Sequence, residues 1–81
     1  MLTQLSTQPK VVGAKQVKRA LEAGRAVKVF LCDDADPRIT QSVAELCAQK
    51  GVEQVTGVTM KDLGKACGIS VPAAVAALVT G

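Results

Sequence analysis

The sequence predicts an α/β protein, a three-layer α/β/α sandwich around a four-stranded mixed sheet. Strand and helix signals alternate from one end of the chain to the other, the usual signature of a sheet covered by helices. The apolar residues are mostly Val, Ala and Leu, with one Phe and no Trp or Tyr. A core of small branched side chains suits a buried sheet. At 81 residues the chain has length for one domain with one modest core, taken as 1–81.

The elements follow in order. Val11-Val12 reads as a short strand stopping at Gly13. From Ala14 to Ala23 the apolar residues Val17, Ala20 and Leu21 recur at helical spacing, and Gly24 ends the helix. Ala26 to Cys32 reads as a strand buried on both faces over most of its length. Asp33-Asp34-Ala35-Asp36-Pro37 is a strand-to-helix turn, with Asp36 suited to cap the next helix and Pro37 to its first turn. That helix should turn Ile39, Val43, Leu46 and Cys47 to the core and close at Gly51.

Val52 to Val58 supplies a third strand. Thr59-Met60-Lys61-Asp62 resembles a capping box, with Asp in place of Glu. It opens a short helix whose Leu63, Ala66 and Cys67 face inward and which stops at Gly68. The loop Ile69-Ser70-Val71-Pro72 leads to a last strand from Ala73 to Val79, and a frayed helical turn is expected near Leu2–Leu5.

Several function classes are disfavoured. No apolar run approaches the roughly 20 residues that span a bilayer, and residues 1–9 lack a charged start followed by an apolar stretch, so cytoplasmic residence is the expectation. The chain has no His, and Cys32, Cys47 and Cys67 are widely spaced, which offers no zinc set. The cysteines read as small buried hydrophobes. No nucleophile–base pair is evident, and no enzyme activity or cofactor is expected.

Charge is unevenly placed. The net charge is +3, yet residues 1–28 carry six cations against Glu22 alone, whereas residues 29–54 carry five acids against Arg38 and Lys50. Such asymmetry fits a protein that meets a polyanion on one side. Within the first helix Lys15, Lys18 and Arg19 form a stripe at i, i+3 and i+4 beside a helix start whose open N–H groups favour phosphate. Spacing alone also allows a solvated face. The acidic turn at 33–36 is accounted for by cap and turn chemistry. Leu63-Gly64-Lys65-Ala66-Cys67-Gly68 lacks the spacing of a phosphate loop. The loop at 69–72 could pack onto the core or meet an unstacked base. Single-strand binders usually carry aromatic stacking platforms, and the lone Phe30 falls in a buried strand, so any RNA partner should be folded.

Taken together, residues 13–21, the turn Asp33-Asp34-Ala35-Asp36-Pro37 and the stretch 63–74 resemble the kink-turn-binding ribosomal protein family of the L-seven-Ae type, in its short bacterial form. The resemblance covers about nine tenths of the chain. It implies binding to kink-turns, duplex RNA sharply bent at a three-nucleotide bulge followed by sheared G·A pairs. The first basic helix would enter the major groove opened by the kink, and the loop before the last strand would cover the bulge. Lys15, Gln16 and Arg19 stand at the reading positions where archaeal and eukaryotic members carry Asn, Glu and Lys; Lys-Gln resembles the bacterial branch. Ser70 replaces an acidic or polar residue of the loop and is assigned no base-specific role.

The RNA-binding set implied by the resemblance is Gly13, Lys15, Gln16, Lys18, Arg19, Lys28, Lys65, Ile69, Ser70, Val71 and Pro72. The expected partner is kink-turn RNA, ribosomal or other non-coding, with the ribosome as one setting. DNA and membranes are not expected, and the chain is expected to be a monomer. The alternative on the same fold is a protein-interaction or ribosome-assembly module without kink-turn preference.

Overall fold

In the computed structural model, which describes residues 8–70 and 72–80, the chain alternates as expected. Strand β1 (Lys10–Val12) is followed by helix α1 (Ala14–Glu22), strand β2 (Ala26–Cys32), helix α2 (Pro37–Lys50), strand β3 (Glu53–Val58), helix α3 (Met60–Ala66) and strand β4 (Val75–Val79). The turn expected near Leu2–Leu5 lies outside the described residues. Two strand boundaries move inward: β3 starts at Glu53 rather than Val52, and β4 at Val75 rather than Ala73.

The four strands form one mixed sheet in the order β1-β4-β2-β3. β4 inserts between β1 and β2 and runs antiparallel to both, while β2 and β3 are parallel. All five residues of β4 are buried, as a central strand covered on both faces requires. One face packs Val29, Leu31, Val75 and Ala77 against Val17 and Leu21 of α1 and Val43 and Cys47 of α2. The other packs Phe30, Val55, Ala76 and Leu78 against Leu63 of α3 and the adjoining Cys67. This is the expected three-layer sandwich, two helices on one face and one on the other.

Local chemistry sets the helix ends. Asp36 caps α2 by accepting from the Arg38 N–H at 2.9 Å, with Pro37 opening the helix. Thr59 caps α3 by accepting from the Asp62 N–H at 3.2 Å, the forward half of the expected capping box. All three cysteines are free and buried. Burial, then Asp34, Asp33 and Cys67, push the Cys32 thiol up to about 11.

Two departures have local causes. Ile39, expected in the core, is 36% exposed, and Leu46 is half-buried; α2 meets the sheet chiefly through Val43 and Cys47, one turn apart. Two residues of β2 pass against one step of β4 between Ala26 and Lys28, leaving Val27 as the bulged residue and 55% exposed. A second irregularity shifts the β2–β3 register at the level of Thr56 and Gly57. Gly57 has φ +83°, and its N–H, displaced from the ladder, donates to Asp33 Oδ1 at 3.2 Å.

Candidate nucleic-acid interface

The start of α1, the C-terminal end of β2 and the loop before β4 meet at one end of the sheet. Strand β1 must turn sharply into α1, and Gly13 makes that turn at φ +98°, ψ 148°. Its N–H donates to Val75 O at 3.0 Å, fastening the helix start to the first residue of β4. A side chain at Gly13 would meet nothing within 4 Å, so the space over the helix start is open. Among the described residues no side chain caps α1, and no acid lies in its first turn. Among the described residues the N–H groups of Ala14, Lys15 and Gln16 have no acceptor. The positive end of the helix is thus left without a hydrogen-bond acceptor among the described residues.

The helix buries Val17, Ala20 and Leu21. At 100° per residue this apolar stripe leaves Lys15 and Arg19 pointing away from the sheet, with Lys18 on one flank and Gln16 on the other. Lys15, Gln16 and Arg19 are exposed and Lys18 is half-buried. Among the described residues none of these three cations has an ion-pair partner; the two salt bridges lie elsewhere, Lys28–Glu53 at 3.6 Å and Arg38–Asp36 at 2.9 Å. The Arg38 guanidinium, together with the Arg38 N–H, holds the Asp36 carboxyl below the usual carboxylate range.

The loop at 69–72 exposes Ile69, Ser70 and Pro72. Val71 lies outside the described residues. The Ile69 N–H donates to Gly64 O at 3.1 Å, and beyond the loop the Ala73 N–H donates to Met60 O at 3.1 Å. Because Val75 is also bonded to Gly13, the loop and the helix start are held as neighbours by a few residues of chain.

Two members of the expected set lie away from α1. Lys28 sits opposite Leu78 and Glu53, three β4 residues from Val75, or about 10 Å along the strand. Lys65 is exposed on α3, on the opposite face of the sheet from α1, next to the loop. A groove of about 340 Å³ runs between the first turns of α2 and the edge strand β3, lined by Thr40, Gln41, Ala44, Gln54 and Thr56 among others, and it includes no residue of α1 or the loop. Sequence reasoning assigned the acidic turn to cap chemistry but missed what two of its carboxylates hold. Asp33 ties the β3 bulge, and Asp34 Oδ1 accepts from the Met60 N–H at 2.9 Å. These are contacts across 24 and 26 residues that no local pattern signals.

Residues 2–81 match the ribosomal protein L7Ae/L30e/S12e/Gadd45 family. The chain belongs to that family. A relative from Bacillus pumilus, described as an RNA-binding protein, is 42% identical over 69 residues, covering 85% of this chain and 84% of its own. The large ribosomal subunit protein eL8 of Halobacterium salinarum is 40% identical over 68 residues, which are 83% of this chain and 57% of that protein. Among solved structures, the Giardia lamblia 15.5kD RNA binding protein superposes with a TM-score of 0.87 at 32% identity, over 99% of this chain and 69% of that one. Membership accounts for the sandwich and its element order. In this chain no helix among the described residues is long and apolar enough to cross a membrane.

Proposed function

We propose that this chain is a non-catalytic RNA-binding protein that recognises and stabilises kink-turns in structured RNA, with residues 1–81 acting as one binding domain. The observation that carries the reading is the pairing of an uncapped, cation-striped helix start with an exposed apolar loop, the two held together through Gly13 and Val75. The relatives described as RNA-binding proteins support it.

The physical division of labour follows from the side chains. An A-form major groove is too deep and narrow for a helix, so α1 needs RNA whose groove is opened by a bend. There Lys15 and Arg19 donate to guanine O6 and N7, and the Gln16 amide oxygen accepts from guanine N–H groups. Lys18, on the flank of the stripe, meets phosphate, as do the open N–H groups beyond Gly13. Ile69, Val71 and Pro72 cover the unstacked bases of the bulge, Ser70 stays without a base-specific role, and Lys65 meets phosphate beside the loop. Lys28 is left out of the contact surface, because Glu53 pairs with it and it lies toward the other end of the sheet. Only the kinked RNA presents surface to both halves, so binding raises its population.

The test is a titration of a kink-turn duplex against the same duplex with its G·A pairs replaced by Watson–Crick pairs. Clear preference for the kink-turn is expected. Equal binding at moderate salt refutes the proposal and favours a protein-interaction or assembly role.

A further inference from the structure

The Asp34 carboxylate does work that the cap of α3 does not explain. Thr59 already caps that helix. Asp34 reaches across from the β2–α2 turn and accepts from the Met60 N–H at 2.9 Å. The other side of the same residue continues outward: Met60 O accepts from the Ala73 N–H at 3.1 Å, immediately after the loop. Ala73 O accepts from the Cys32 thiol at 3.1 Å, and Ala74 O from the Cys32 N–H at 3.2 Å. Val75 O then accepts from Gly13 at the start of α1. One carboxylate thus stands at the head of a hydrogen-bonded path running through Met60, Ala73, Ala74 and Val75 to the helix start.

Every other link in that path is made by backbone groups or a buried thiol. Asp34 is its one exposed, charged member. We propose that Asp34 is a positioning residue for RNA recognition: it fixes Met60, and through Met60 the end of the loop at 69–72, at the spacing from α1 that a kinked RNA requires. The inference rests on the RNA reading above and assigns to Asp34 no contact with RNA. Its neighbour Asp33 acts separately, on the Gly57 bulge. A charge-assisted bond to a backbone N–H is strong enough to matter for a short loop while leaving the sandwich intact.

The test compares wild type, Asp34→Ala, Asp34→Asn, Ile69→Ala and the Asp34→Ala/Ile69→Ala pair on the kink-turn duplex and its Watson–Crick control. Asp34→Ala should weaken kink-turn binding about tenfold, the scale of one charge-assisted hydrogen bond, without altering control binding or the salt dependence. Asp34→Asn should lose only about threefold, since its amide oxygen still accepts from Met60 but without the charge. With the loop already truncated by Ile69→Ala, the Asp34→Ala step should cost much less than tenfold. Wild-type affinity in Asp34→Ala, an equally weak Asp34→Asn, or an undiminished loss in the Ile69→Ala background each overturns the inference. Amide hydrogen exchange separates its failure from failure of the RNA reading. If wild type shows no RNA preference, faster exchange at Ala73 in Asp34→Ala with Val17 unchanged still upholds the positioning, and unchanged exchange at Ala73 rejects it.

Discussion

Lys18 and Arg19 are adjacent in sequence but leave α1 in different directions, and removing them should have different consequences. Arg19 points straight away from the buried stripe of Val17, Ala20 and Leu21, whereas Lys18 emerges half-buried on its flank. Neither has an ion-pair partner to release among the described residues, so each loss should appear in binding with little effect on stability. If Lys15, Lys18 and Arg19 each displaced one counterion, the slope of log affinity against log salt from α1 would be about −2.7, at about 0.9 per phosphate on a duplex. A rise from about 50 to 200 mM salt would then weaken binding about fortyfold through this helix alone. With Lys18→Ala the slope should fall in magnitude by about 0.9, and the variant's deficit should shrink about 3.5-fold over the same range. That deficit should be the same on kink-turns of different flanking sequence, because phosphates carry no sequence. Arg19→Ala should instead cost about 1–3 kcal/mol on the kink-turn, if it makes a good base contact, and far less on the Watson–Crick control. Fluorescence anisotropy with these RNAs at four salt concentrations reads all of these quantities. An unchanged slope for Lys18→Ala, or an Arg19→Ala loss equal on kink-turn and control, would refute the assignment of phosphate to one side chain and base to the other.

Further expectations concern the scaffold. Leu63 is the fully buried side chain by which seven-residue α3 is anchored; Leu63→Ala should cost about 2–5 kcal/mol in denaturant unfolding, a large share of the roughly 4–12 kcal/mol expected for a chain this size. Asp36 has its carboxyl lowered by Arg38, so its contribution is complete above the ordinary carboxylate value and lost as pH falls through the lowered one. Carbon-13 titration should place Asp36 below the ordinary aspartate value, and Arg38→Ala should return it toward that value. Burial raises all three thiols, Cys32 up to about 11. A thiol reagent at pH 8 should therefore leave the native protein almost unlabelled and modify it promptly once unfolded; rapid labelling of folded protein would contradict the packing.

Much of the fold was legible because its signals are local. Glycines at 13, 24, 51 and 68 stand where elements end, and the apolar spacing of Val17, Ala20 and Leu21 gave the buried face of α1 directly. The insertion of β4 between β1 and β2 was not legible, since pairing Val12 with Ala76 is a choice among distant partners. Ile39 misled for a related reason. It continues the apolar stripe of α2 one turn before Val43, yet Val43 is fully buried and Ile39 is 36% exposed, a difference set by where the helix meets the sheet and not by its spacing. In the candidate site, the cation stripe could be read from spacing. The separation of Lys28 from it could not, because strand register decides which end of the sheet a residue reaches. Asp34 shows the same limit: the turn was visible, and its partner 26 residues away was not.

The most direct test of the central claim is the shape of the RNA itself. A kink-turn duplex carrying fluorophores at its two helix ends, held in low salt without divalent ions, should shift to high energy transfer as the protein is added, with a midpoint matching its binding curve. The Watson–Crick control should remain extended at every concentration. Saturable binding with no change in energy transfer on the kink-turn, or equal bending of both duplexes, would contradict the account.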